Sequence, residues 1–148
     1  MTTVKALCGV SCAKNLHSAG TVLCVYLQVS HGNRKSYCEQ HGYKLLDGTG
    51  WYGSRGVGLA YYSWLKVEFV CKMMEQNKHH QWLVWMDIDV LFMNTHIKLS
   101  QLLVGVTEND FIIVAADAES LNAGTFFIRN NQQGRKFCQD WIGRCYKF

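Results

Sequence analysis

The chain has 148 residues, 49% hydrophobic and 18% charged, the make-up of one folded domain with its own core rather than of a disordered or fibrous chain. Its net charge of +4, from 15 basic and 11 acidic residues, is mild and holds no dense basic run. That excludes a nucleic-acid partner and remains compatible with a phosphorylated ligand.

Residues 1–20 carry no clear pattern and stay unassigned. Cys8, Cys12 and His17 lie close in sequence, but no fourth zinc ligand accompanies them, so free or buried thiols are the expectation. The seven cysteines cannot all pair within one chain, and no CxxC occurs. Thr21–Val29, "TVLCVYLQV", is apolar and rich in β-branched residues, the pattern of a strand covered on both faces. "HGNRKSYCEQHGYKLL" reads as a short helix with Gly42 as its C-cap, leading into a strand near Tyr43–Leu46. The glycine-rich stretch Asp47–Gly58 is a loop. Arg55 within it matches neither the Walker nor the dinucleotide pattern, and a surface-loop position is expected. "LAYYSWLKVEFVCKMMEQNKHH" is a long helix with Trp64, Val67, Cys71 and Met74 on one face, and His79 and His80 complementing the dipole at its end.

"QWLVWM" is the next buried strand, with Trp82 and Trp85 in the core. "THIKLSQLLVGV" reads as a short helix capped by Thr95. "DFIIVAA" and "GTFFIRN" are two further strands, and the chain closes with a helix burying Phe137, Trp141 and Cys145. Alternating strands and helices predict an α/β domain with a mostly parallel sheet, whose ligands bind beyond the carboxyl ends of the strands.

That end of "QWLVWM" carries Asp87 and Asp89. Two carboxylates set in the apolar run "WLVWMDIDVLFMN" need a partner. A hard divalent cation, Mn2+ or Mg2+, is the natural one, because it prefers oxygen ligands and is typically held by one or two carboxylates together with substrate phosphates. The alternative is a solvated turn after the strand, which is seldom so apolar on both sides.

Four blocks, "YCEQHGY", "SWLK", "QWLVWMDIDVLFMN" and "LNAGTFFIRN", come in an order and spacing that resemble glycosyltransferase family 34, the galactosyl, mannosyl and xylosyl transferases. The resemblance covers about residues 21–145. It implies a GT-A-like, Rossmann-type nucleotide-sugar domain over residues 21–148. It also implies a retaining, Mn2+-dependent transferase that moves a hexosyl or pentosyl group from a UDP- or GDP-sugar to a glycan acceptor. On this reading Asp87 and Asp89 hold the metal, and Asp87, Ile88, Asp89, Lys66, Asn122, Ala123 and Gly124 line the donor site. Periodicity alone gives Lys66 a solvated helix position, and Asn122–Gly124 a turn before a strand.

The family is usually longer. It carries a further histidine downstream and a Golgi anchor, which would put the protein on the lumenal side of that membrane. Here the last histidine is His96, and no apolar stretch reaches the ~18 residues of a membrane span. A domain lacking the family's C-terminal part is therefore expected. Two alternatives stay open. One is a nucleotide-sugar-binding fragment without turnover. The other is a haloacid-dehalogenase-type phosphatase, in which the first Asp is a nucleophile and a later acidic pair is needed; Asp110 and Asp117, which follow the motif, are isolated from each other.

Overall fold

A computed structural model of the chain describes residues 4–8, 21–48, 51, 59–118 and 120–145. Arg55, Cys12 and His17 lie outside the described residues, as do the side chains of Cys8 and Cys145. The elements in chain order are β1 (Val4–Cys8), α1 (Thr21–His41), β2 (Leu46–Asp47), α2 (Leu59–Gln76), β3 (Trp82–Met86), a 3-10 helix (Leu99–Leu103), β4 (Ile112–Ala116), β5 (Leu121–Arg129) and α3 (Gln132–Cys145).

The five strands form one sheet in the order β2-β1-β3-β5-β4. β2, β1 and β3 run parallel, whereas β5 is antiparallel to β3 and β4 to β5. The α/β architecture is as expected, but the sheet is parallel on one side only. The cause is local: no helix intervenes between β4 and β5. A tight turn joins them, with the Asp117 N–H donating to the Ser120 carbonyl and the Ser120 N–H to Asp117 Oδ1, both at 2.9 Å. Strands joined by so short a link must run antiparallel.

β3 is buried along its whole length, and its alternation sends side chains to two cores. Leu83 and Trp85 pack with Leu65, Phe69, Val70 and Met74 of α2, Phe126 and Ile128 of β5 and Cys138 of α3. Trp82, Val84 and Met86 pack on the other face with Tyr37 and Cys38 of α1, Leu99 and Phe127. Each large apolar side chain buried in this way contributes about 1.5–3 kcal/mol. A disulfide, Cys71–Cys138, ties α2 to α3.

Several expectations are corrected. Thr21–Val29 is not a strand but the first half of α1. Val25 and Val29, four residues apart, are 51% and 53% exposed, so the run is not covered on both faces. Extending an existing helix adds one hydrogen bond per residue ordered, and this outweighs β-branched preference. Residues 1–20, left unassigned, supply β1, which lies between β2 and β3. Thr95 caps no helix; its carbonyl is taken by His41, and the 3-10 helix starts only at Leu99. Trp64 is 41% exposed, and the buried face of α2 is made by Leu65, Val67, Phe69, Val70 and Met74. His80 is buried with neither ring nitrogen hydrogen-bonded, so it is not a solvated cation at a helix end. Gly42 does end α1, with φ of +68°, a left-handed conformation that costs glycine nothing.

Candidate donor-binding site

The site forms where β3 ends and β5 begins. β3 and β5 pair as far as Met86 and Thr125. One more main-chain bond follows, from the Asp87 N–H to the Gly124 carbonyl at 2.7 Å. On its other side β5 leaves β4. The register jumps from Val114 opposite Phe126 to Ala115 opposite Asn122, so Ala123, Gly124 and Thr125 face no β4 residue. Such bulges re-aim the backbone and are common beside functional sites. Here the freed carbonyls of Ala123 and Gly124 turn toward Lys66 and Asp87.

Lys66 comes from α2. Its ammonium donates to the Ala123 carbonyl at 3.0 Å and lies 3.4 and 3.3 Å from the two Asp87 oxygens. Its side chain is only 14% exposed and that of Asp87 34%. This is a partly buried ion pair, not the solvated helix position that periodicity suggested. The Trp85 indole N–H donates to Asp87 Oδ1 at 2.6 Å. After Asp87 the chain turns, the Val90 N–H donating to the Asp87 carbonyl at 3.1 Å. Ile88 is half-buried in this turn and Asp89 is exposed. Asn122 is exposed, and its Oδ1 accepts from the Gly124 N–H at 2.9 Å. Its amide nitrogen is a donor that no bond in the described residues uses.

Lys66, Asp87, Ala123, Gly124 and Asn122 are thus brought together. Asp89 belongs to the same turn without touching them. No group of three or more His, Cys, Asp or Glu side chains able to hold a metal occurs among the described residues. Trp85 and Arg34 were missed by sequence reasoning. Arg34 in α1 is 1% exposed and donates through Nη2 to the carbonyls of Asp87 and Val90, the latter at 2.9 Å. Its signal was there in outline, since Arg34 and Tyr37 are spaced to share one face of a helix. Asp110 and Asp117, the isolated aspartates weighed against the acidic pair of a phosphatase, are engaged locally. Asp110 accepts from Thr107 N–H and Oγ1 at 2.7 Å, bonds that hold its carboxyl below the usual range, and Asp117 closes the β4–β5 turn.

The galactosyl transferase GMA12/MNN10 family matches residues 10–107, about two-thirds of the chain and the stretch that carries Lys66, Asp87 and Asp89. The chain belongs to this family. Members it resembles include an alpha-1,2-galactosyltransferase of Schizosaccharomyces pombe, 29% identical over 77% of this chain and 39% of the relative. Another is the xyloglucan 6-xylosyltransferase 2 of Arabidopsis thaliana, 25% identical over 78% of this chain and 26% of the relative. The chain therefore spans well under half the length of these curated relatives. In fold it resembles a glycosyltransferase involved in the glycosylation of the major capsid of PBCV-1. The two superpose with a TM-score of 0.76 at 12% identity, covering 98% of this chain and 68% of the other. The expectation of a GT-A-like α/β domain holds. Among the described residues no helix is long and apolar enough to cross a membrane.

Proposed function

We propose that this chain carries the donor half of a retaining, metal-dependent glycosyltransferase that takes a galactosyl, xylosyl or related group from a UDP- or GDP-sugar to a glycan acceptor. One observation supports it above the others. Lys66, Asp87 and the bulge Ala123–Gly124 converge at the carboxyl end of β3, where α/β sheets bind their ligands, in a chain of this family.

The carboxylates suit a divalent cation of the Mn2+ or Mg2+ type. Asp89 is exposed and offers both oxygens. Asp87 Oδ1 already takes the Trp85 indole and Lys66, while Oδ2 meets only Lys66 among the described bonds and keeps room for a further partner. Two carboxylates are a sufficient protein contribution for a cation that keeps waters and binds substrate phosphates. Once bound, the ion would supply Lewis-acid stabilisation of the leaving diphosphate.

The chain's own residues do the rest. Lys66 sets the Asp87 carboxylate in one orientation and presents positive charge toward the diphosphate. The Asn122 amide, pinned through its oxygen to Gly124, points its N–H donors at sugar hydroxyls. Transfer separates charge between an oxocarbenium-like ring and the phosphate, and retention places attack on the face the diphosphate leaves.

Asp87→Asn and Asp89→Asn test the reading. Each should abolish the Mn2+-dependent rise in melting temperature given by UDP, with the ligand-free melting temperature kept within a few degrees. Unchanged binding in both variants sinks the metal site. Mn2+-dependent hydrolysis of UDP-galactose or UDP-xylose by the unmodified chain separates an enzyme from a binding domain without turnover.

A further inference from the structure

Among the described residues, Arg34 is the one buried cation near the site that the reading above leaves without a task. Its guanidinium is 1% exposed, its Nε and Nη1 have no hydrogen-bond partner, and its described contacts are the two carbonyls on Nη2. Burying an uncompensated charge is expensive, and an apolar side chain of similar volume would fill the space more cheaply. Its bonds instead reach both ends of the Asp87–Val90 turn.

α1 continues this pattern along the loop that follows. Asn33 makes a reciprocal pair with the Phe92 main chain, donating to its carbonyl at 3.0 Å and accepting from its N–H at 2.8 Å. The Tyr37 hydroxyl donates to the Ile97 carbonyl at 2.6 Å, and its ring stacks on Phe92 with centroids 3.6 Å apart. His41 Nε2 lies 2.7 Å from the Thr95 carbonyl. A carbonyl can only accept, so that nitrogen carries the proton. One helix face thus grips residues 87–97 by their backbone, with Val90 and Phe92 packed inward against the core and Leu91 between them outward. Asp89 is exposed, and Met93 is 88% exposed.

We propose that Arg34 is a positioning residue, whose grip on the carbonyls of Asp87 and Val90 fixes the turn so that Asp89 is presented to the cation beside Asp87. The part concerning the cation rests on the reading of Asp87 and Asp89 as a metal site; the part concerning the turn does not. Arg34→Lys is the informative variant, because it keeps the charge but replaces the planar Nη2 group that meets both carbonyls with a rotating ammonium on a shorter stem. Arg34→Met removes both.

Two measurements on the whole chain decide it. The first is amide hydrogen exchange without ligand, comparing residues 87–92 with residues 125–129 of β5. The second is binding of Mn2+ alone, followed by loss of the free-ion electron paramagnetic resonance signal. Exchange at 87–92 should rise about tenfold in both variants, as for one lost hydrogen bond to a charged group, with 125–129 unchanged. The Mn2+ affinity of Arg34→Lys should fall about 10–100-fold, the range for residues that orient metal ligands.

Unchanged exchange at 87–92, or an equal rise in both segments, overturns the proposal. So does local loosening in Arg34→Lys with wild-type Mn2+ affinity. Should Arg34→Met not fold, Arg34→Lys alone is read by the same criteria. Absence of Mn2+ binding in the unmodified chain would overturn the metal reading and the cation part of this proposal, while exchange still decides whether Arg34 holds the turn.

Discussion

Trp85 serves the core and the site with one side chain: its ring packs edge-on against Phe69, and its indole N–H holds Asp87. The sequence marks such a tryptophan as core, and that is correct but incomplete, because strand alternation says which face a ring occupies and not where its single donor points. The carboxylates were legible for the opposite reason, as charges set in an apolar run. Gly124 is closely surrounded on the side where a Cβ would stand. A Cβ there would lie 3.0 Å from Asn122 Oδ1 and 3.6 Å from Asp87 Oδ2, and its φ is not positive. Alanine therefore meets no backbone strain but displaces the Asn122 amide by a few tenths of an ångström. Gly124→Ala should leave the ligand-free melting temperature within a few degrees. It should weaken UDP-galactose or UDP-xylose about tenfold, since small misplacements of a positioning group are costly, and leave UDP with Mn2+ nearly unaffected. Titration of the two ligands side by side checks this; equal losses for both would mean that Asn122 does not face the sugar.

α1 shows what periodicity misses at the scale of an element. Its first half looks like a strand because Thr21–Val29 is apolar and β-branched. What makes it helical is the anchored second half, where Asn33, Arg34, Tyr37 and Cys38 fix the helix against the loop and the sheet. Those contacts join residues about sixty positions apart, and no local window contains them. α2, β3, β5 and α3 were legible because their patterns are long or their burial complete. The packing of α1 has a measurable pH signature. Burial pushes the Tyr37 phenol from 10.0 to about 12 and the Cys38 thiol from 9.0 to about 11. Both groups stay neutral in the fold while the unfolded chain already ionises. The stability they lend is whole below pH 9 and is lost as pH rises, across about 9–11 for Cys38 and about 10–12 for Tyr37. Tyr37→Phe should cost about 1 kcal/mol at pH 7 through the lost bond to Ile97. It should also flatten the decline above pH 10. Urea midpoints from pH 8 to 11.5 test it, and parallel curves for the two proteins would show that Tyr37 takes no part.

At the scale of the whole molecule, β3 gathers everything: helices on both its faces, a parallel neighbour on one side, an antiparallel one on the other, and the carboxylates at its tip. The sheet's α/β character was legible from alternation, but its antiparallel side was not, since a four-residue link and a two-sided strand leave similar traces in sequence. The disulfide was equally hidden. Seven cysteines allow many pairings, and only the packing of α3 beside α2 brings Cys71 and Cys138 to a Cα separation of 5.6 Å across 67 residues. Its position matters to the site, because α2 also carries Lys66, and the bridge joins that helix to the C-terminal one. Closing a loop of this length removes denatured-state entropy worth about 4 kcal/mol at most, and measured bridges commonly give 2–4. Reduction should therefore lower the urea midpoint by a stability of about 2–4 kcal/mol, and a Cys71→Ala/Cys138→Ala double variant should match the reduced wild type. Such a bridge persists only where thiols are kept oxidised, so the chain should refold fully with an oxidant and incompletely in excess reductant. Identical midpoints with and without reductant would mean that the two helices are held by Leu65, Val70, Met74 and their neighbours alone, and that the bridge adds nothing to the placement of Lys66.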